Sequence, residues 1–153
     1  MSTNADDTIQ LLDHEELGAW RGMLRVHAEL TKALDAELTE THGLPLSSYE
    51  VLLFLAGEPG GRMRMSELAD SVLLSRSGLT RLVDRLERAG LLERVQCDDD
   101  ARGYFAQITP AGREEFDAAR RTHLEGVRRL FLSRFSRDEL RELGALWERV
   151  LVR

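Results

Sequence analysis

From Leu17 onwards, apolar or semi-apolar positions recur at alternating spacings of three and four, through Trp20, Leu24, His27, Thr31, Leu34 and Leu38. That period predicts a long amphipathic helix over about residues 12–42. Gly43 suits its end, because glycine enters the left-handed region without a Cβ penalty. Ser47 and Glu50 have capping-box spacing, and the helix they are expected to open carries Val51, Leu52, Phe54 and Leu55. Glu58-Pro59-Gly60-Gly61 breaks that pattern. Arg62-Met63-Arg64-Met65 alternates and predicts a very short strand, after which Ser66 is placed to cap a helix bearing Leu68, Ala69, Val72 and Leu73. A second short helix is expected to begin near Ser75. Leu79, Leu82, Val83 and Leu86 define its apolar face before Gly90 stops it.

Beyond Gly90 the pattern changes period. Leu91–Val95 and Tyr104–Ile108 read as two strands, and the polar run Gln96–Gly103 between them reads as a charged hairpin. Thr109-Pro110 pairs a capping residue with a proline suited to the first helical turn, so a long helix is expected from there to about Ser133. Ser136 and Glu139 have capping-box spacing before a last helix striped with Leu140, Leu143, Trp147 and Val150. Two short helices joined by a tight turn and followed by a hairpin are the parts of a winged helix-turn-helix. The expected fold class is therefore mainly α with a small β-hairpin wing, in a single domain. The winged part spans about residues 47–109, with flanking helices at about 12–42 and 110–152. The outer stripes, Leu17 to Leu38 and Leu140 to Val150, exceed what one small winged core can bury, which predicts a homodimer built from the terminal helices.

Charge first opposes and then supports a nucleic-acid partner. The net charge of -6 would repel phosphates, but it is unevenly spread. Residues 1–61 hold 3 basic and 11 acidic side chains, residues 62–108 hold 8 and 8, and residues 109–153 hold 10 and 8. Lys32 is the single lysine; the other basic residues are arginines, whose planar fork suits guanine edges and phosphates. On the second short helix, Ser77, Arg81, Asp84 and Arg88 lie opposite the apolar set. The N-terminal part of such a helix reaches base edges, which makes Ser75, Arg76, Ser77, Thr80 and Arg81 candidates for the major groove. Arg85 and Arg88 lie further along, where phosphate contacts are expected. At the hairpin tip, Asp98-Asp99-Asp100-Ala101-Arg102-Gly103 sets one arginine beside a glycine, suited to placing a cation in a narrow minor groove.

Three segments, in order and spacing, resemble the MarR family of regulators: Arg62 to Ala69, Ser77 to Leu86, and Asp100-Ala101-Arg102-Gly103 with Ile108-Thr109-Pro110-Ala111-Gly112. With its flanking helices the resemblance covers about residues 12–152. It implies a homodimer with interlocked terminal helices, acting on double-stranded DNA at a palindromic operator as a ligand-responsive repressor. It also implies that Asp84 pairs with Arg102 and, with Asp100, orients the wing. A cleft between the dimer helices and the winged module would take a small anionic or aromatic effector, with Trp20, His27, Tyr49 and Arg85 as candidate lining residues. For Trp20 and His27, which lie in the apolar stripe of the first helix, core packing is the favoured alternative.

Other chemistries find little support. Cys97 is the single cysteine, and neighbouring aspartates disfavour its thiolate, which weakens a redox-sensor reading. His14, His27, His42 and His123 form no metal-ligand motif, so no metal or other cofactor is expected. No nucleophile motif or phosphate-binding glycine loop points to an enzyme. The start of the chain lacks the basic and apolar segments of a signal peptide and no stretch is apolar enough to span a bilayer, so a cytoplasmic location away from the membrane is expected. The alternatives are a winged module used for protein contacts and a redox or metal sensor.

Overall fold

The computed structural model describes residues 9–72, 76–98 and 103–151. Helix α1 (His14–His42) opens on a capping box, in which the Asp13 carboxylate accepts from Glu16 N and the Glu16 carboxylate accepts from Asp13 N, both at 2.9 Å. It closes on Gly43 at φ 63°, whose N–H donates to the carbonyls of Leu38 and Thr39. Helix α2 (Leu46–Gly57) does not use the expected Ser47–Glu50 box. Pro45 sits at its N-cap without a side-chain bond, and Asp35 of α1 accepts from Leu46 N at 2.8 Å. A carboxylate from a neighbouring helix thus takes over a local capping role.

A short 3-10 turn (Pro59–Gly61) leads to strand β1 (Arg62–Arg64) and helix α3 (Met65–Val72). Because α3 begins at Met65, Ser66 lies inside its first turn and not at its cap. Helix α4 (Arg76–Arg88) ends ahead of Gly90, which has φ 75°. Strands β2 (Leu92–Gln96) and β3 (Tyr104–Ile108) form the hairpin, and β1 joins its other side in an antiparallel sheet of order β1-β3-β2. Across it, Met63 pairs with Ala106 and Ala106 with Arg94, which puts these residues on the face turned toward the helices.

Helix α5 (Pro110–Leu130) has Thr109 as N-cap, its hydroxyl accepting from Gly112 N at 3.0 Å. It stops three residues short of the expected Ser133, where a 3-10 turn (Leu132–Arg134) and the edge-on pair Phe131–Phe135 redirect the chain. Helix α6 (Arg137–Leu151) starts on the expected box: Ser136 N donates to Glu139 at 2.7 Å and Glu139 N to Ser136 Oγ at 3.2 Å.

The core lies where α2, apolar on nearly all sides, is enclosed by α3, α5, the C-terminal half of α1 and the sheet. Leu38, Leu52, Leu55, Leu68, Leu79 and Leu92 are fully buried there, each contributing about 1.5–3 kcal/mol of transfer free energy. Trp20 and His27 do not share this core. Trp20 is 53% exposed on the N-terminal half of α1, and α6, with Trp147 at 41% and Val150 at 73%, has no buried residue. No helix among the described residues is long and apolar enough to cross a membrane. The arrangement is a winged helix-turn-helix, with α3 and α4 as the helix pair and β2–β3 as the wing.

Candidate nucleic-acid interface

Helix α4 is amphipathic because Leu79, Leu82, Val83 and Leu86 are all buried against the module. Its other side is therefore presented outwards: Ser77, Thr80, Arg81, Arg85 and Arg88 are exposed and Asp84 is half-buried. Gly78, Arg81, Asp84, Arg85 and Arg88 line a shallow depression of ≈ 500 Å³. Of the expected groove-facing residues, the structure brings Ser77, Thr80, Arg81, Arg85 and Arg88 onto this one helix. Ser75, Asp100 and Arg102 lie outside the described residues, as does the side chain of Arg76.

Two carboxylates on α4, Asp84 and Glu87, would weaken any attraction for phosphate. Both are claimed by Arg94 of β2. Its guanidinium lies 2.5 Å from Asp84 Oδ1 and 2.9 Å from Glu87 Oε1, while its backbone N–H donates to Glu87 Oε2 at 2.9 Å. The Arg94 side chain is only 23% exposed, so the pairing is less screened than one on an open surface. Arg81 and Arg85 make no ion pair among the described residues, and Arg88 Nε donates at 3.3 Å to the backbone carbonyl of Asp84. The outward face of α4 therefore carries a net positive field. Sequence reasoning passed over Arg94. The signal was its parity: it shares the inward side of β2 with buried Leu92, and an arginine on that side needs a carboxylate.

At the wing, Cys97 N donates to the Gly103 carbonyl at 3.0 Å and closes the hairpin, with the thiol side chain buried. The expected contact of Asp84 with Arg102 falls outside the described residues. At the other end of the module, the Thr109 hydroxyl donates to the Gly90 carbonyl at 2.6 Å, and Thr109 N donates to the Leu91 carbonyl at 3.1 Å. These bonds fasten the turn after α4 to the first turn of α5.

The four candidate effector residues are not gathered in one place. Tyr49 is buried, stacked on Phe116 at 5.4 Å and tilted against His123 at 4.6 Å. Burial raises the Tyr49 hydroxyl pKa, with Arg120 opposing, and lowers that of His123, with Glu37 opposing. His27 borders an open hollow of ≈ 450 Å³ with Thr31, Lys32, Asp35, Ser47 and Glu50. There burial raises the Glu50 carboxyl, and His27 partly offsets it. Trp20 stands apart on α1, and Arg85 belongs to the α4 face. No group of three or more metal-ligating side chains occurs among the described residues.

Comparison with known proteins agrees with this geometry. A model of the MarR family matches residues 42–103. The HTH-type transcriptional regulator PecS of Dickeya dadantii is 30% identical over 141 residues, which are 91% of this chain and 83% of PecS. Among solved structures, AbsC, a MarR family transcriptional regulator from Streptomyces coelicolor, is 35% identical with a TM-score of 0.86, over 92% of this chain and 95% of that one. Sco3205 from the same organism, solved in complex with DNA, is 33% identical with a TM-score of 0.87, over 92% and 89% of the two chains. Family likeness, winged module and electropositive helix lead to one conclusion: this chain belongs to the MarR family of DNA-binding transcriptional regulators, which are not enzymes.

Proposed function

We propose that the protein acts as a homodimeric, ligand-responsive repressor on a palindromic operator. Each α4 would enter a major groove and each wing the adjacent minor groove. Arg81, with Ser75, Arg76, Ser77 and Thr80, is assigned to base edges and nearby phosphates, and Arg85 and Arg88 to phosphates. Arg102 is assigned to the minor groove, and Asp84 and Asp100 to wing orientation. The observation that carries this reading is the α4 face itself: Arg94 occupies both of its carboxylates, so Arg81 and Arg85 present uncompensated charge outwards. The DNA complex of Sco3205 supports the same use of the fold.

Dimerisation is supported by the apolar side chains that one chain leaves open. Trp20, Met23, Leu24 and Val26 on α1, and Leu146, Trp147, Val150 and Leu151 on α6, are all exposed. Such surface is uncommon on a monomer. Of the four candidate effector residues, His27 is the one bordering the hollow between α1 and α2, where Lys32 and the imidazole offer cationic partners to a small anionic or aromatic effector. The test is duplex binding against salt. Affinity should fall steeply and linearly on logarithmic axes as counterions are released. Binding independent of salt, or none to a random duplex pool, would reassign the module to protein contacts.

A further inference from the structure

The sheet has a second arginine cluster on its outer face, away from α4. Met63 of β1 points inwards, so Arg62 and Arg64 both point outwards, and the register sets Arg64 opposite Phe105 and Arg62 opposite Gln107. Both guanidiniums gather over one ring: Arg62 Cζ lies 4.6 Å and Arg64 Cζ 5.5 Å from the Phe105 centroid. A third, Arg113 of α5, packs against the adjoining turn, its Nη2 being 2.5 Å from where a Cβ on Gly61 would stand. Among the described residues none of the three makes an ion pair. The carboxylate on the same face, Glu93, lies beyond Gln107 on the far strand, about 10 Å across two strand spacings.

The ring attracts both cations and holds them in place, yet nothing described offsets their mutual repulsion. An anion set between them would. The chain is acidic as a whole, so such a cluster departs from the average surface and is selective for a strongly anionic partner. Its position favours nucleic acid over an acidic protein segment. Phe105 is the second residue of β3, the returning strand of the wing, and Arg64 on the edge strand sits opposite it, so the cluster lies along the flank of the wing.

We infer that Arg62 and Arg64, held on Phe105, form a phosphate-binding ridge that engages the duplex backbone outside the half-site read by α4 and the wing. This rests on the DNA-binding reading above. The ridge contributes affinity and no base specificity, because guanidinium–phosphate contacts carry no sequence information.

The experiment uses the full-length protein and two duplexes selected from a random pool by the wild type. One is trimmed to the minimal bound core, and the other has the same core with about one helical turn of added DNA on each side. The wild type should bind the long duplex more tightly and with a steeper salt slope. R62Q/R64Q should abolish the gain, lowering the slope on the long duplex by about 3 to 4 for four guanidiniums in a dimer, and bind the core as the wild type does. F105L should lose part of the gain, with an unchanged melting temperature identifying folded variants. Equal binding of both duplexes by the wild type, or an R62Q/R64Q protein that keeps the gain or loses the core equally, would overturn the ridge. Failure of the wild type to bind either duplex would overturn the DNA-binding reading itself.

Discussion

Gly112 of α5 lies directly against the backbone carbonyl of Leu91, with no room between them for a side chain. A Cβ built on Gly112 would overlap the Leu91 oxygen and stand 2.8 Å from Ile108 Cγ1. Both neighbours are fixed, since Leu91 is bonded to Thr109 N and Ile108 lies in β3. Gly112→Ala should therefore push α5 away from the module and cost about 2–4 kcal/mol, more than helix propensity alone would return. Denaturant unfolding checks this. A stable Gly112→Ala protein would mean that the junction is slack.

Arg94 is expected to matter for DNA binding without touching DNA. Arg94→Gln releases Asp84 and Glu87 onto the α4 face, so affinity should fall although the lost charge sits on the inner side of the sheet. Asp84→Asn should then recover part of the loss, and the two substitutions should be non-additive by about 0.5–3 kcal/mol. Fluorescence anisotropy on one duplex reads both effects. Simple additivity would separate Arg94 from the electrostatics of α4. The same series tests Arg102: if Asp84 also orients the wing, Asp84→Ala and Arg102→Ala should be non-additive.

Arg81→Ala should cost about 1–3 kcal/mol of binding and relax preference at one position in each half-site. Arg88→Ala should weaken all duplexes alike and lower the salt slope. Sequencing of bound duplexes from a random pool distinguishes the two patterns.

His123 predicts acid sensitivity. Burial lowers its folded pKa below the ordinary imidazole value of about 6.5, and its Nδ1 has no hydrogen-bond partner. The unfolded chain then binds a proton that the folded chain resists, so stability is lost as pH falls through about 6.5 towards the lower folded value. His123→Phe keeps a ring against Tyr49 and removes the titration. Its stability should vary less with pH between about 7 and 5, as thermal melts at a series of pH values would show.

The dimer reading predicts a sedimenting dimer at micromolar concentration, converted to monomer by Trp147→Glu. The preferred site should be an imperfect palindrome with half-sites about one helical turn apart. A wild-type monomer would remove this architecture.

What the sequence disclosed, and what it hid, follows the range of the interactions. Gly43, the Ser136–Glu139 box and Thr109-Pro110 cap their helices through neighbours within five residues, and each is where local chemistry puts it. The apolar face of α4 is equally legible, since Leu79, Leu82, Val83 and Leu86 repeat at helical spacing. The Ser47 box is absent because the helix begins one residue earlier, at Leu46, whose amide is bonded by Asp35 from the neighbouring helix. Arg94 and the pairing of Arg62 and Arg64 on Phe105 depend on strand register, which single-residue patterns do not specify. Trp20 illustrates a further gap: an amphipathic stripe announces that a face will be covered without saying by which chain.

The Thr109 hydroxyl joins the Gly90 carbonyl, in the turn after α4, to the Gly112 amide in the first turn of α5. If α4 reads DNA and α5 builds the dimer, as proposed, the two would act as the limbs of one bent lever. Tilting α5 by a few degrees would then swing the far end of α4 through a proportionate arc. In the proposed dimer the distance between the two reading heads would thus be governed from the side where α1 packs on α5, and a small change there would be felt as a mismatch with the pitch of the double helix.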